Sequence, residues 1–309
     1  MRVLLFVTKI AILVAALVAA TLAGSADSRS LSSAGSIALS GGGISVRSTS
    51  GQLTRLTTDF RDQLPVWSRD GKRIAFLRRG LKVDRCALFV MNADGGDVHE
   101  VGNVETDCSR VSWGPRDRKI AFGGVRAQGS MGLWVVNANG SGLRRLRAGR
   151  GATEGVHPAW SPNGRWIVFG WTGRSPHPWG RLAAVRPDGS GYRVLVKPRA
   201  GHDDEITFPA WSRDGKRLAY VRVDHRLGSA GRMLEVADSL GRHRRVLAHL
   251  PYNPTNQGAP SWSPNGRSLV YWQICGQSGC VATIPARGGK PHVLLQGDYL
   301  QPYWGPAGT

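Results

Sequence analysis

Tryptophan recurs along this chain in a fixed neighbourhood. Trp67, Trp113, Trp160, Trp211, Trp262 and Trp304 stand 42 to 51 residues apart. Pro65-Val66-Trp67-Ser68-Arg69-Asp70-Gly71-Lys72-Arg73-Ile74-Ala75-Phe76 is one copy, and Pro209 to Tyr220 is another. Pro158 to Phe169 and Pro260 to Tyr271 keep the scheme, with Ser-Pro-Asn-Gly in the turn. A repeat of this length means one supersecondary unit, stacked on copies of itself.

Each copy reads as four short strands. The first ends at Trp-Ser, and a tight Asp-Gly or Asn-Gly turn follows, where glycine takes positive φ. The second strand is β-branched and aromatic, as in Ile74-Ala75-Phe76. A third, such as Leu88-Phe89-Val90-Met91, closes on another glycine turn, Asn92-Ala93-Asp94-Gly95, and a fourth ends in pairs such as Val194-Leu195. A four-stranded blade cannot bury both faces alone, so blades stack radially. The sixth copy stops after the strand at Trp304, and Ile37-Ala38-Leu39-Ser40, Ile44-Ser45-Val46 and the segment after Gly51 match its missing strands. Pairing the two ends would leave no open sheet edge.

The expectation is therefore an all-β, six-bladed β-propeller of four-stranded antiparallel blades over residues 37–309. Its N-terminal strands would pair with the C-terminal strand. The tryptophans are expected to fill the wedges between blades. The second copy has Gly114-Pro115-Arg116-Asp117 without the turn glycine, so its first turn should be looser.

Residues 1–26 read as a signal peptide. Arg2 and Lys9 flank an apolar start, Ile10 to Ala23 is uncharged, and Gly24-Ser25-Ala26 offers a small-residue cleavage site. An uncleaved anchor is the alternative. Residues 27–36 read as a serine-rich linker. Export fits four cysteines. Cys275 and Cys280 flank a short loop and pair naturally, leaving Cys86 with Cys108. Zinc spacing is absent. The formal charge of +20 reads either as an arginine-rich solvated surface or as affinity for anionic envelope polymers. Export argues against nucleic acid, and a monomer is expected.

The Trp-Ser-Pro-Asp/Asn-Gly turn, the Ile-Ala-Phe strand and the Asp-Gly turn before Arg-x-Leu resemble the TolB-like, WD40-like (PD40-type) propeller repeats. The resemblance spans roughly residues 37–306, without the α/β domain that precedes the propeller in TolB. It implies an extracytoplasmic module, periplasmic or at the cell surface, that docks partners at its channel mouth. Similar propellers occur in peptidases and polysaccharide lyases.

The loops joining consecutive copies hold nine of the 21 acids, about three times an even share. A protein or peptide partner is expected at this acidic mouth. The candidate residues are Asp59, Asp62, Asp107, Glu154, His157, His202, Asp203, Asp204, Glu205, Tyr252, Asp298 and Tyr299. A divalent cation could also sit there; no other cofactor is expected. Trp171 and Trp179 flank a proline-containing loop that could stack on a sugar or peptide. No Gly-x-Ser-x-Gly elbow, His-Glu-x-x-His or phosphate-binding loop occurs in the chain. The leading expectation is a non-enzymatic binding scaffold. Alternatives are a carbohydrate-binding or lyase-type propeller using His157, His202, Tyr252 and the mouth carboxylates, and a basic module lying on anionic envelope polymers.

Overall fold

The computed structural model describes residues 35–80, 85–125, 131–146, 154–172, 180–202, 204–251 and 259–307. The expected signal peptide and most of the linker lie outside them. Among the described residues, no helix is long and apolar enough to cross a membrane.

The strands are antiparallel and follow the turn chemistry. Gly71, Gly164, Gly215 and Gly266, each in the turn after a Trp-Ser, have φ between 66 and 74. The serine hydroxyl helps set each turn. Ser68 Oγ donates to Asp70 Oδ1 and accepts from Arg73 N, and Ser212 does the same with Asp214 and Arg217.

Four sheets have four strands each. In one, Leu300–Trp304 lies beside Ile37–Ser40, Ile44–Arg47 and Leu53–Arg55, with Ile37 opposite Trp304 and Ala38 opposite Tyr303. The others start at Glu154–Trp160, Asp204–Trp211 and Ser261–Trp262. The expectation of six four-stranded blades is corrected here. Among the described residues only four such sheets form, and the remaining strands make one continuous eight-stranded sheet from Asp62–Trp67 to Arg144–Arg145.

The fusion has a local cause. Strand His99–Thr106 pairs with Cys86–Asn92 and also, through Thr106 opposite Gly124, with Lys119–Val125. Asp107 N donates to Gly123 O at 3.1 Å. The missing Cβ at Gly123 makes room for the Asp107 carboxylate. The Cys86–Cys108 disulfide ties the same corner, and the inner strand left to the second copy is only Ser112–Trp113. The Cys275–Cys280 disulfide closes its short loop.

The six tryptophan-bearing strands nevertheless touch one another in cyclic order, from Asp62–Trp67 round to Leu300–Trp304 and back. The apolar core of the described residues is correspondingly divided into six clusters, each shared by two consecutive repeat copies. Ala121, Leu133 and Val135 pack with Trp160, Ile167 and Phe169 in one cluster. Ile120 and Phe122, alternating with Ala121, face Leu64, Val66 and Leu88 in another. Closure matters to the energetics, because Ala38 and Ile44 pack with Trp67, Ile74 and Phe76 from the next copy.

The tryptophans stitch the copies together. The indole N–H groups of Trp113, Trp211 and Trp262 donate to Val66 O, Ala159 O and Ala210 O at 2.9 to 3.2 Å. Each acceptor immediately precedes the tryptophan of the copy before. Where serine holds that place, the contact changes. Ser112 Oγ and Ser261 Oγ accept the backbone N–H of Trp160 and Trp304 at 2.9 and 3.0 Å.

The turn in the second copy is specified rather than loose. Pro115–Asp117 forms a 3-10 turn, with Arg116 and Asp117 at φ 62 and 52. Asp117 receives the backbone N–H groups of Arg69 and Asp70 at 2.8 and 3.0 Å. Its carboxylate does for the neighbouring turn what a glycine could not.

Candidate functional site

Two regions of the ring carry chemistry: the inter-copy loops and the axis. The loop acids are engaged by arginines. Asp59 receives Arg61 Nη2 at 2.7 Å, and Asp62 receives Arg78 Nε at 2.7 Å. The hydrogen bonds from Arg61 hold the Asp59 pKa down to about 2. Arg199 Nη2 reaches Asp204 at 3.2 Å and Asp224 at 2.6 Å. Arg222, itself buried, bridges Asp204 Oδ1 at 3.3 Å and Glu235 Oε1 at 2.6 Å. Tyr220 Oη completes the group by donating to Glu235 at 2.8 Å. Burial alone would raise the Asp204 pKa, but the hydrogen bonds from Arg199 and the charge of Arg222 outweigh it and lower it.

His202, Asp204 and Asp224 bring one ligand atom each within 4.8 Å of one another. His202 Nδ1 lies 2.9 Å from Asp224 Oδ2. These carboxylates already accept from Arg199, Arg222 and the backbone N–H of Arg226. The carboxylates of Asp204, Asp224 and Glu235 are matched by the guanidinium groups of Arg199, Arg222 and Arg226. The donor set thus suits guanidinium groups rather than a divalent cation, which would have to displace Arg199.

The other sequence candidates scatter. Glu205 Oε2 lies 3.4 Å from His225 Nε2. The Asp107 carboxylate accepts Ser109 N and Ser109 Oγ, and burial raises its pKa. Asp298 is exposed, whereas Tyr299 packs on the cluster around Ile37 and Trp304. Glu154 and Trp171 lie in the strands Glu154–Trp160 and Ile167–Thr172, with side chains beyond the description. Asp203, Tyr252 and Trp179 lie outside the described residues.

At the axis, a layer of side chains converges from three residues before each tryptophan. Leu64, His157, Phe208 and Gln301 hold this place with φ between 49 and 55. The strand registers shift there, between Gln63 and Val66, Val156 and Ala159, and Thr207 and Ala210. A bulge re-aims a side chain that regular alternation would send elsewhere. The His157 and Phe208 rings sit 4.0 Å apart. Gln301 Oε1 accepts both Ser40 Oγ and Leu64 N at 2.8 Å. Arg110 spans the axis, donating to Pro260 O at 3.0 Å, Pro302 O at 3.2 Å and Ala259 O at 3.4 Å. These groups plug the channel. Burial and the charge of Arg110 push the His157 pKa down to about 3, so this imidazole is neutral and unsuited to proton transfer near neutral pH. Burial also lowers the Arg110 pKa, to about 10, which leaves it charged.

Above the plug is a chamber of about 90 Å³ lined by all six repeat tryptophans, by Pro158, Pro162, Pro209 and Pro260, and by Arg69, Arg110 and Arg213. Its outer edge is the turn after Trp-Ser, the end of the ring opposite the acid-bearing loops. Sequence reasoning missed Arg69, Arg110 and Arg213. The signal for two of them was present: at the place filled by Pro162 and Pro264 in sister copies, the chain carries Arg69 and Arg213.

The basic residues of the turn face are largely structural. Arg73 donates to Asp117 O, Arg217 to Gly266 O, Arg144 to Pro187 O and Arg245 to Ala286 O, each reaching the next copy at 2.6 to 2.7 Å. Arg73 and Arg217 also lie over the Trp113 and Trp262 rings. Capping seam carbonyls with guanidinium groups needs no acid in return, which accounts for part of the +20 charge.

The fold is shared widely. TolB from Acinetobacter baumannii aligns with a TM-score of 0.71 at 17% identity, over 89% of this chain and 67% of that one. An oligogalacturonate lyase in complex with manganese aligns with a TM-score of 0.55 at 16% identity, over 81% and 69%. At these identities the likeness is one of fold alone. In sequence, the uncharacterized peptidase YuxL of Bacillus subtilis is 25% identical over 39% of this chain, which covers only 23% of that relative's length. A family model described as the TolB beta propeller domain matches residues 50–308. With the tryptophan repeat and the cyclic inner strands, that match shows that the chain belongs to the TolB β-propeller (PD40) family.

Proposed function

We propose that this chain is an exported, non-enzymatic docking scaffold that receives a protein or peptide partner at the turn-side end of its axis. The chamber carries this reading. It is concave, walled by tryptophan and proline, and it presents cationic groups that no carboxylate hydrogen-bonds. A concave site with apolar walls and a few fixed polar groups is the usual build of a binding pocket. The acid-bearing loops at the other end are occupied with Arg61, Arg78, Arg199 and Arg222, which favours a role in fixing loop shape. The neutral, plugged His157 argues against the lyase-type alternative that needs it as a base. Two disulfides fit an oxidising compartment.

Photo-crosslinking in producing cells tests the reading. A photoreactive residue replacing Lys216, exposed in the same turn as Arg213, should give a discrete protein adduct, and one replacing Leu227, exposed on the 3-10 segment His225–Ala230, should not. Equal labelling from both positions, or none from 216, would sink the proposal, as would turnover of a polyuronide by the purified chain with added manganese.

A further inference from the structure

The chamber is more basic than its architecture requires. After each repeat tryptophan the second residue is Arg69, Pro115, Pro162, Arg213, Pro264 or Pro306. Proline suffices for the turn, since its fixed φ suits that position and it orders at little entropic cost. The turn itself therefore does not require arginine at either place, although Arg69 also caps Trp160 O and Ser161 O. Both arginines line the chamber together with Arg110.

None of the three guanidinium groups has a carboxylate hydrogen-bonded to it. Arg69 Nη2 donates to Trp160 O at 2.8 Å and Ser161 O at 3.3 Å, and its buried Nε has no partner. Arg110 donates only to carbonyls, and its Nε is likewise unpartnered. Among the described residues, Arg213 makes no hydrogen bond or ion pair. Asp117 acts on the guanidinium groups of Arg69 and Arg213 by charge alone, because its two oxygens are taken by the Arg69 and Asp70 amides. Desolvation lowers the Arg69 pKa, and the charge of Arg213 adds to the effect. Arg110 is buried, Arg69 half-buried and Arg213 exposed beside them, and the one charge of Asp117 offsets only part of theirs, which favours an incoming anion.

The geometry narrows the anion. Guanidinium forks match a carboxylate, and tryptophan and proline walls suit the apolar part of a peptide. The plug of Arg110, His157, Phe208 and Gln301 makes the chamber blind. A threaded chain needs two openings, whereas a chain end needs one. Building on the docking reading above, we infer that the chamber binds the free C-terminal carboxylate of a partner polypeptide, held by Arg69 and Arg213 at the rim with Arg110 beneath.

The test uses the full chain and four probes: acetyl-Gly-Gly-Leu with a free carboxylate, its C-terminal amide, acetyl-Gly-Asp-Leu amide, and inorganic phosphate. Calorimetry gives affinity, and the indole N–H resonances report the chamber. The free acid should bind and shift those resonances, and both amides should bind at least tenfold more weakly. Arg213→Pro installs the residue of two sister turns, so the fold is expected to survive, with an unchanged melting profile as control. It should weaken the free acid at least tenfold, as should Arg69→Met. Equal binding of acid and amide, or unchanged affinity in Arg213→Pro, would overturn the inference. So would phosphate binding as tightly as the peptide acid, which would mark a simple anion site, or preference for the internal aspartate. If a probe at residue 216 still crosslinks a partner while acid and amide bind alike, docking stands and the carboxylate assignment falls.

Discussion

The backbone N–H of Trp160 donates to the hydroxyl of Ser112 at 2.9 Å, across a seam between repeat copies 48 residues apart. At two other seams the same place is alanine, Ala159 and Ala210, and the carbonyl there accepts an indole N–H instead. Five of the six seams thus carry one such hydrogen bond, made in one of two ways, whereas at the seam that closes the ring the Trp67 indole N–H has no partner among the described residues. Ser112→Ala removes the acceptor while Trp160 stays buried. Leaving a buried donor unpaired costs about 1–3 kcal/mol. Urea unfolding should show a loss in that range, and a change within error would mean that the indole turns to compensate.

Asp117 sets backbone strain against cross-copy bonding. At φ 52 it occupies the left-handed region that favours glycine. Asp117→Gly restores the glycine of the other turns and relieves the backbone, yet deletes the acceptor for the Arg69 and Asp70 amides. Two lost charge-assisted bonds outweigh the roughly 1 kcal/mol of relief, so the variant should be less stable by about 1–3 kcal/mol. Asp117→Asn keeps one carbonyl oxygen and should fall between. A more stable Asp117→Gly would show that the cap contributes little.

His157 gives stability a pH dependence above the carboxylate range. Its pKa is about 3 in the folded chain and ~6.5 when unfolded. Above pH ~6.5 both states are neutral there. As pH falls towards 3, only the unfolded state takes the proton, and stability is lost. The slope approaches about 1.4 kcal/mol per pH unit for one proton. Asp59, held near 2 by Arg61, loses its contribution only at lower pH, whereas Asp107, raised by burial, opposes the histidine by taking its proton first in the folded chain. The histidine is therefore read as the difference between the parent chain and a variant that lacks only the imidazole. His157→Leu, carrying the residue that Leu64 supplies at the equivalent place, should flatten the dependence. An unchanged slope would assign it to another group.

What was legible in the sequence is what acts within one repeat. The Trp-Ser turn, the Asp-Gly or Asn-Gly pair and the alternation around Ile74 to Phe76 specify inner strands by short-range geometry. The fused eight-stranded sheet was not legible, because it depends on Gly123 and Gly124 meeting Asp107 and Thr106 from the copy before. The acids were counted from the loops, but the arginines that neutralise them, Arg78 and Arg222, come from strands. The plug was hidden for another reason. A bulge turns the residue three before the tryptophan towards the axis, and strict alternation along a strand cannot show that. Arg69 and Arg213 were readable only as departures from the proline of sister copies.

Arg222 and Glu235 form a buried ion pair, with side chains 4% and 6% exposed and 2.6 Å between Nε and Oε1. Such a pair is costly to desolvate, so its intact form adds little net stability, whereas removing one partner strands the other. Arg222→Met leaves Glu235 buried with only the Tyr220 hydroxyl as donor among the contacts described. Asp204 keeps Arg199 and is not stranded. The single variant should lose about 3–5 kcal/mol. Adding Glu235→Leu removes the stranded charge and should restore part of that loss. A double-mutant cycle reads the difference as coupling. If the two losses simply add, the pair is not a unit, and the conformation of the strands Arg217–Asp224 and Arg232–Asp238 owes nothing to it.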